Sequence, residues 1–301
     1  MVSLSPAGLN YIFVANQDDN TISVIDGNTN REIAIIPVGS NPIGISVNPV
    51  TNLVYVTNFL DNTVSVIDAI TFEDIVTIDV GDLPYNVSVN PITNRIYVVN
   101  YGSFDVSIID GDTNTVIATV PVGIIPLELD INVVTNTIYV TNSLDNTVSV
   151  IDGNSNTNVA TITVGFSPFG VGVNSQTNLI YVANNFDNTV SIIDGTTNQE
   201  LERINVGLGP YGVNVNETTN RIYVTNFFEN SVSVIDGNTN DVVASIQVGE
   251  EPIAIAINLT LNIIYVTNQA DNTVSVIDGN TNLIIATIPV GSFPFGLDVL
   301  P

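Results

Sequence analysis

Residue types that carry much of enzyme chemistry are missing from this chain of 301 residues. It has no cysteine and no histidine, and its four basic residues are all arginine. Their absence excludes disulfides, thiol nucleophiles, Ser-His-Asp triads, lysine Schiff bases, and the usual zinc and haem sites. Carboxylates are the remaining acid–base groups. The composition therefore excludes many enzyme classes and leaves a pair of carboxylates as the surviving route to catalysis.

Positive charge is also scarce. Thirty Asp and Glu residues accompany the four Arg, which gives a net charge of −26, and the arginines stand singly along the chain. Because non-specific nucleic-acid binding requires clustered Lys and Arg, no nucleic-acid partner is expected. No apolar run approaches the ~20 residues that span a bilayer, so membrane insertion is not expected. Residues 1–6 lack the pattern of a signal peptide, and none is expected in this chain.

The chain does contain a repeat of fixed length. The segment Leu53–Asn58 recurs with its Tyr every 42 residues, and Phe13 occupies the same position one period earlier. The recurring tyrosines are Tyr55, Tyr97, Tyr139, Tyr181, Tyr223 and Tyr265. Seven copies without insertion or deletion predict a single domain over residues 1–301, in which equal units share a continuous core. We expect the tyrosines to pack between these units.

Each repeat contains four short segments rich in β-branched residues. In the copy that starts at Pro42 they are 43–47, 53–57, 63–67 and 75–80, each bounded by Gly, Pro, Asn or Asp. No stretch has useful helical periodicity. Four strands in a period of about 40–45 residues predict an all-β, seven-bladed β-propeller with four antiparallel strands per blade.

The two ends of the chain complement each other. Residues 11–38 contain strands two to four of a first blade, whereas the partial copy after Pro294 contains a single first strand. We therefore predict that residues 295–299 complete blade 1 and close the ring, which removes free sheet edges. Blades 2 to 7 are predicted to start at Pro42, Pro84, Pro126, Pro168, Pro210 and Pro252.

Two turn motifs recur, as at Asn48–Asn52 and Asp26–Asn30. Their Asn and Asp residues accept backbone N–H groups and their Gly suits positive φ, so we interpret them as structural turns. The second motif also resembles the start of a calcium loop. However, Arg31 stands where that loop needs Gly, and Pro37 stands where it needs a bidentate Glu. We expect no cofactor, with calcium as the alternative.

Carboxylates are expected in the central channel. Glu128 and Asp130 lie two residues apart on the first strand of blade 4 and share a face. Asp298 occupies the slot of Asp130 three blades away, so we expect these two to face each other without touching. A solvated channel lining is one interpretation. The alternative is an ion or acid–base site, which would suit a lactonase or glycan-cleaving enzyme that also uses a metal.

Variation among the copies is confined to two loops per repeat. The loops from strand two to three, and from strand four to the next strand one, differ between copies. Because strands alternate in direction, these loops emerge on one side of the ring, which we call the variable face. Its aromatic residues are Phe59, Tyr85, Tyr101, Phe104, Phe166, Phe169, Phe186, Tyr211, Phe227, Phe228, Phe293 and Phe295. Its acidic residues include Asp82, Glu229, Glu250 and Glu251.

An aromatic surface with an acidic rim has the composition of a binding patch. The rings that follow each blade-starting Pro are expected to fill blade seams, and the others to contact a partner. The predicted contact residues are Phe59, Tyr101, Phe166, Phe186, Phe227, Phe228, Glu250 and Glu251. A basic protein patch or a glycan would suit this surface, and the same face could instead contact another copy of the protein.

Two motifs repeat with little change. Tyr-Val-Thr-Asn occurs at 55–58, 139–142, 223–226 and 265–268, and Val-Ser-Val-Ile-Asp-Gly at 148–153, 232–237 and 274–279. They resemble the YVTN-type β-propeller repeat of archaeal and bacterial surface-layer and other cell-envelope proteins. Small departures occur at Ala15, Ala69, Val99 and Ala183.

The resemblance implies a seven-bladed propeller at the cell surface and no catalytic residues. We therefore predict a non-enzymatic extracellular or cell-surface scaffold that binds a protein or glycan. The alternatives are the hydrolase and a self-assembling surface-layer unit.

Overall fold

The fold is a seven-bladed, all-β propeller, as predicted. A computed structural model describes residues 9–301, which form 28 strands in seven four-stranded antiparallel sheets, one per blade. The expectation of no signal peptide concerns residues 1–6, which lie outside this range. Within residues 9–301 no helix is long and apolar enough to cross a membrane.

The strands of blades 1 to 4 follow in chain order. Blade 1 contains β1 (Tyr11–Asn16), β2 (Thr21–Asp26), β3 (Arg31–Pro37) and the last strand of the chain; blade 2 contains β4 (Pro42–Asn48), β5 (Leu53–Asn58), β6 (Thr63–Asp68) and β7 (Asp74–Asp79); blade 3 contains β8 (Pro84–Asn90), β9 (Arg95–Asn100), β10 (Asp105–Asp110) and β11 (Thr115–Pro121); blade 4 contains β12 (Pro126–Asn132), β13 (Thr137–Asn142), β14 (Thr147–Asp152) and β15 (Thr157–Thr163).

Blades 5 to 7 have the same composition. Blade 5 contains β16 (Pro168–Asn174), β17 (Leu179–Asn184), β18 (Thr189–Asp194) and β19 (Gln199–Asn205); blade 6 contains β20 (Pro210–Asn216), β21 (Arg221–Asn226), β22 (Ser231–Asp236) and β23 (Asp241–Gln247); blade 7 contains β24 (Pro252–Asn258), β25 (Ile263–Asn268), β26 (Thr273–Asp278) and β27 (Leu283–Pro289); β28 (Pro294–Leu300) joins blade 1.

The C-terminal strand closes the ring, which confirms the prediction. β28 pairs antiparallel with β1, so that Leu300 lies opposite Tyr11 and Asp298 lies opposite Phe13. The strand extends one residue beyond the predicted 295–299 at each end. Leu300 packs into one seam beside blade 1 and Leu297 packs into the other. The last residues therefore fill the core on both sides of the blade they complete.

Burial depends on the position of a strand within its blade. The second and third strands, such as β5 and β6, are buried along most of their length, whereas the fourth, such as β7, is mostly exposed. β7 covers residues 74–79 rather than the predicted 75–80. The N–H of Val80 donates to the carbonyl of Asn62, in the loop between β5 and β6, and so leaves the sheet.

The repeated Tyr is a spacer between blades. Tyr55 is fully buried and packs against Val64 of its own blade and Val87 of the next. The five other tyrosines and Phe13 are equally buried. Each such ring contributes about 2–3 kcal/mol through burial of apolar surface. Six Tyr and one Phe therefore supply one aromatic ring to each of the seven seams.

The Thr and Asn of the Tyr-Val-Thr-Asn motif, which is complete in four blades, have separate structural roles. Thr57 Oγ1 donates to the carbonyl of Tyr85 in the next blade at 3.3 Å. Asn58 Nδ2 donates within its own blade to Thr63 Oγ1 at 3.0 Å and to Ser65 Oγ at 2.9 Å. The Thr thus joins neighbouring blades, and the Asn links the second and third strands of one blade.

The Asp-Gly-Asn-Thr-Asn turns use their carboxylate within the turn. Asp26 Oδ1 accepts the N–H of Asn28 at 2.9 Å, and Asp26 Oδ2 accepts the hydroxyl of Thr29 at 3.0 Å. Among residues 9–301 no three His, Cys, Asp or Glu side chains form a group that could hold a metal ion. Structural turns without a cofactor stay the prediction, with calcium as the alternative, and calorimetric titration at roughly millimolar calcium would distinguish the two.

Candidate functional site

The two variable loops of each blade are paired through their backbones. In blade 2 the N–H of Phe59 donates to Asn41 O at 3.1 Å, and the N–H of Leu60 donates to Ser40 O at 3.2 Å. Equivalents of the first bond occur in all seven blades and equivalents of the second in six. We call these four positions of each blade the display positions. They place four variable side chains on one small backbone platform.

Recurring residues support the platforms from the same blade: the Gly and the Asn occur in all seven blades, and the Asp occurs in five, with Ser103 and Glu229 in the other two. Asn58 Oδ1 accepts the N–H of Gly39 at 3.1 Å, and Asp61 Oδ2 accepts the N–H of Ser40 at 2.6 Å. A Cβ at Gly39 would lie 2.5 Å from Asn58 Cγ, so this position requires glycine. Because the supporting residues recur while the display positions vary, the platform can change its side chains without changing its backbone.

One display position has a left-handed backbone in every blade. Asn41 has φ 58°, and Asn20 Oδ1 of the previous blade accepts its N–H at 2.8 Å. The residues equivalent to Asn41 are Leu83, Ile125, Ser167, Gly209, Glu251 and Phe293, all with positive φ. Most other left-handed positions carry Asn, which tolerates this conformation better than bulky or β-branched residues do. Five of these seven residues are neither Gly nor Asn, so the variable face carries backbone strain of the kind found at functional surfaces.

Eight aromatic rings form a connected network on this face. The successive contacts, with centroid distances, are Tyr101–Phe59 (6.2 Å), Phe59–Tyr85 (6.3 Å), Tyr85–Phe295 (5.6 Å), Phe295–Tyr211 (6.1 Å), Tyr211–Phe169 (4.7 Å), Tyr211–Phe227 (6.1 Å) and Phe227–Phe228 (5.0 Å). Rings from several blades therefore meet over the channel axis.

The centre of the network differs from the prediction. Tyr85, Phe169, Tyr211 and Phe295 follow a blade-starting Pro and were expected to fill seams, yet they contact one another across the channel mouth. The hydroxyls of Tyr85 and Tyr211, from blades 3 and 6, lie 2.7 Å apart. This slot begins the innermost strand, so a large ring there reaches the axis. Burial raises the pKa of both phenols well above its ordinary value.

The predicted channel carboxylates line one cavity next to this network. Its volume is about 200 Å³, and Glu128, Asp130 and Asp298 all contribute to its wall. Asp130 Oδ2 accepts the N–H of Val173 in blade 5 at 2.7 Å, and Asp298 Oδ2 accepts the N–H of Val47 in blade 2 at 2.8 Å. These two carboxylates therefore connect neighbouring blades.

Protonation of the channel carboxylates is shifted towards neutral pH. Burial raises the pKa of Glu128 and of Asp130 to about 7, and that of Asp298 to about 6. The charges of Glu217 and Asp298 raise the pKa of Asp130 further, whereas its bonds from backbone N–H groups oppose the rise. The charge of Asp298 thus reaches Asp130 from three blades away.

The predicted contact residues fall into two groups. Phe166, Phe186, Phe228 and Glu250 are exposed, whereas Phe59, Tyr101, Phe227 and Glu251 are half-buried. Phe59, Tyr101 and Phe227 pack against the central rings. Phe166 and Phe186 form a separate pair in blade 5 with centroids 6.0 Å apart. The exposed rings are therefore available for contact, and among the half-buried rings Phe227 packs against the exposed Phe228.

Comparison with known proteins identifies the fold and little more. No protein-family model matches the chain. The PE-PGRS family protein PE_PGRS18 of Mycobacterium tuberculosis is 49% identical over 52 residues, and these cover 17% of this chain and 11% of that protein. The chain therefore spans about a tenth of the length of the curated relative that it matches.

Similar solved structures cover most of the chain at low identity. A functionally unknown protein from Desulfotomaculum acetoxidans has a TM-score of 0.85 and 18% identity, with 96% of this chain and 98% of that chain covered. Hydrazine synthase of Kuenenia stuttgartiensis has a TM-score of 0.77 and 19% identity, and the match covers 85% of this chain and 88% of that chain. The dihydro-heme d1 dehydrogenase NirN, in complex with DHE, has a TM-score of 0.72 and 13% identity, and the match covers 98% of this chain and 76% of that chain. At these identities the similarity establishes a shared fold.

Sequence reasoning missed the aliphatic members of the variable face. Ile124 and Leu144 in blade 4, and Leu208 in blade 6, occupy display positions and are exposed. The predicted binding patch rests on aromatic and acidic residues alone. The 42-residue register contained the missing signal, because Ile124 aligns with Phe166 and Leu144 aligns with Phe186.

Proposed function

We propose that this propeller is a non-enzymatic binding scaffold that presents the variable face to a protein or glycan. The observation that carries the proposal is the construction of the display positions. The Gly and Asn occur in every blade, and the residue after the Gly donates its N–H to an Asp in five blades and to Ser103 in blade 3, while four positions per blade vary. Loops that are already ordered lose little conformational entropy on binding, so their contacts contribute more to affinity.

The composition of the face supports the same proposal. Phe186 and Phe228 are 66% and 67% exposed, and they belong to a surface that also includes the aromatic network and the acidic residue Glu250. Clustered exposed rings of this kind are uncommon on a surface without a partner. Aromatic anchors surrounded by polar residues are typical of binding interfaces.

Placement at the cell surface is part of the proposal and rests on the resemblance to the YVTN-type repeat. Proteolysis of intact cells tests it, since a surface protein is degraded while cytoplasmic markers survive. Protection of the chain in intact cells would contradict this placement without affecting the binding proposal.

A binding screen with matched variants tests the function itself. The probes are a glycan array and a phage-displayed random peptide library. Ligands from either screen should lose binding to the Tyr101→Ser/Phe228→Ser variant and retain binding to Ile92→Ser. Ile92 is a suitable control because it is 71% exposed and lies in the constant turn after β8, on the opposite face. Equal loss in both variants, or in neither, contradicts the proposal.

A hydrolase is the second candidate, and the observation that favours it is Glu128. Its pKa of about 7 suits a general acid or base near neutral pH. Lactone and glycoside substrates test this candidate. Turnover by the wild type that disappears in Glu128→Gln would support it and replace the non-enzymatic proposal. Absence of turnover on both substrate classes would count against it.

A further inference from the structure

Exposed apolar side chains at the display positions are concentrated in three consecutive blades. They are Ile124 and Leu144 in blade 4, Phe166 and Phe186 in blade 5, and Leu208 and Phe228 in blade 6, and we call these six residues the apolar arc. Their exposed fractions range from 42% to 67%. The same positions in blades 7, 1 and 3 carry Glu250 with Ala270, Ser292 with Asp18, and Asp82 with Gly102, and blade 2 carries Ser40 with the single exposed apolar residue Leu60. The variable face therefore has an apolar part and an acidic part.

The arc is built on paired backbone, blade by blade. The N–H of Leu144 donates to Ile124 O at 3.3 Å, and the N–H of Phe228 donates to Leu208 O at 3.1 Å. Phe166 and Phe186 are joined in the same way. Because the backbone pairing repeats from blade to blade, the arc is a preformed surface.

Acidic residues lie along the arc in each of its blades. Asp145, Asp187 and Glu229 directly follow Leu144, Phe186 and Phe228 in the chain, and all three acids are exposed. Asp145 Oδ2 accepts the N–H of Ile124 at 2.7 Å, and Asp187 Oδ2 accepts that of Phe166 at 2.7 Å. These bonds hold the carboxylates beside the apolar side chains.

The chain itself supplies little positive charge to this region. Arg203 Nη1 lies 3.7 Å from Asp187 Oδ2, and Arg203 also binds Glu200. No Lys exists in the sequence, and the net charge is −26. A partner that covers the arc would therefore gain from bringing its own cations, which raise the association rate and select the orientation of binding.

We infer that the apolar arc binds an amphipathic, basic segment of another protein. Apolar side chains of that segment contact the arc, and its Lys or Arg side chains lie beside Asp145, Asp187 and Glu229. An Arg or Lys can also stack on the exposed faces of Phe186 and Phe228. The inference rests on the proposed function and specifies the partner class and the part of the face involved.

The other two occupants fit the arc less well. Sugar rings stack on aromatic faces, but Ile124, Leu144 and Leu208 offer neither a π face nor a hydrogen-bonding group. A second copy of the chain would bring the same acids and only four Arg to the contact. Like charges brought together across an interface weaken association.

The experiment compares peptide binding to matched variants. Peptides are selected from a random phage-displayed library on the immobilised wild-type protein, resynthesised, and measured by fluorescence anisotropy. The arc variant is Phe166→Ser/Phe186→Ser/Phe228→Ser. The control is Leu60→Ser, because Leu60 occupies the same display position as Leu144, is 61% exposed, and lies in blade 2 outside the arc. A second arc variant, Phe186→Lys, places a positive charge at one exposed site.

The expected peptides combine apolar residues with Lys or Arg. Their affinity should fall at least about tenfold in the arc variant, because exposed aromatic anchors dominate such interfaces. The affinity should also fall in Phe186→Lys and stay unchanged in Leu60→Ser. For the wild-type protein, the affinity should decrease as the NaCl concentration is raised. Thermal unfolding of each variant identifies any loss that comes from misfolding, in which case Phe186→Lys decides the result.

Failure of the inference differs from failure of the proposed function. Selected peptides without basic residues, or peptides bound equally by the arc variants, overturn the inference. So does a glycan, or a second copy detected by light scattering, whose binding needs the arc. If the binding of any of these ligands is lost in the Tyr101→Ser/Phe228→Ser variant, the proposed binding function is supported, but its partner is not a basic segment. If no ligand depends on the variable face, both proposals are wrong.

Discussion

The hydroxyls of Tyr85 and Tyr211 lie 2.7 Å apart and connect blade 3 with blade 6 over the channel. This bond joins residues 126 positions apart in sequence. Tyr211→Phe should destabilise the fold by about 1 kcal/mol, because it leaves the half-buried Tyr85 hydroxyl without this partner. Tyr85→Phe should have a similar cost, and the double variant should cost less than the sum. Urea unfolding of the four proteins measures this coupling, and additive costs would contradict it.

Strain at the display positions can be measured at Ile125. Its φ of 56° is unfavourable for a β-branched side chain. Ile125→Gly should therefore raise the free energy of unfolding by about 1 kcal/mol, as judged by urea titration. Asn41→Gly is the comparison at the same slot of blade 2, and it should not stabilise the protein, because Asn tolerates φ 58° and the change removes the hydrogen bond that Gln17 Nε2 donates to Asn41 Oδ1 at 3.0 Å. A destabilised Ile125→Gly protein would mean that the Ile side chain contributes more than its backbone costs.

Closure by the last strand predicts a severe effect of truncation. Deletion of residues 292–301 removes β28 and exposes the edge of β1. Burial of Leu297, Val299 and Leu300 is lost, which costs about 6 kcal/mol at roughly 2 kcal/mol per side chain. Calorimetry should show a sharply lower Tm, and light scattering should show association through the free edge. Removal of Pro301 alone is the control and should be silent.

The channel carboxylates predict a pH dependence of stability. Burial raises the folded-state pKa of Glu128 from 4.5 to about 7. Between these values the folded protein binds more protons than the unfolded chain, so stability falls as pH rises through this window and then levels. Glu128→Gln should flatten that part of the Tm profile and stabilise the protein most above pH ~7 relative to wild type.

A control with the opposite sign distinguishes this effect from general charge repulsion. Backbone N–H donation from Asn280 lowers the pKa of Asp278. The ionised Asp278 therefore stabilises the fold above its unfolded-state pKa, and this stabilisation is lost as pH falls through its lower folded-state pKa. Asp278→Asn should therefore lose stability at neutral pH and little at the acid end. If Glu128→Gln and Asp278→Asn change the dependence of Tm on pH in the same direction, the opposite pKa shifts assigned to Glu128 and Asp278 are contradicted.

Most of the architecture could be predicted because it depends on local periodicity. Strand spacing, turn residues and a Tyr every 42 residues recur without interruption, and a missing first strand at one end matches a spare one at the other. The site was predictable only in part. Residues such as Phe186 were assigned to the correct face, whereas Leu144 was missed because its chemistry differs from that of its aromatic equivalents.

The sequence alone determined the number of blades, the limits of most strands and the closure of the ring, because each repeat contains its own strand and turn signals. The tertiary structure decided which rings meet. Tyr85 and Tyr211 contact each other because the innermost strands converge on one axis, and Phe166 pairs with Phe186 because two loops share backbone bonds. Such contacts depend on distances between residues far apart in the chain, and these distances exist only after the ring has closed.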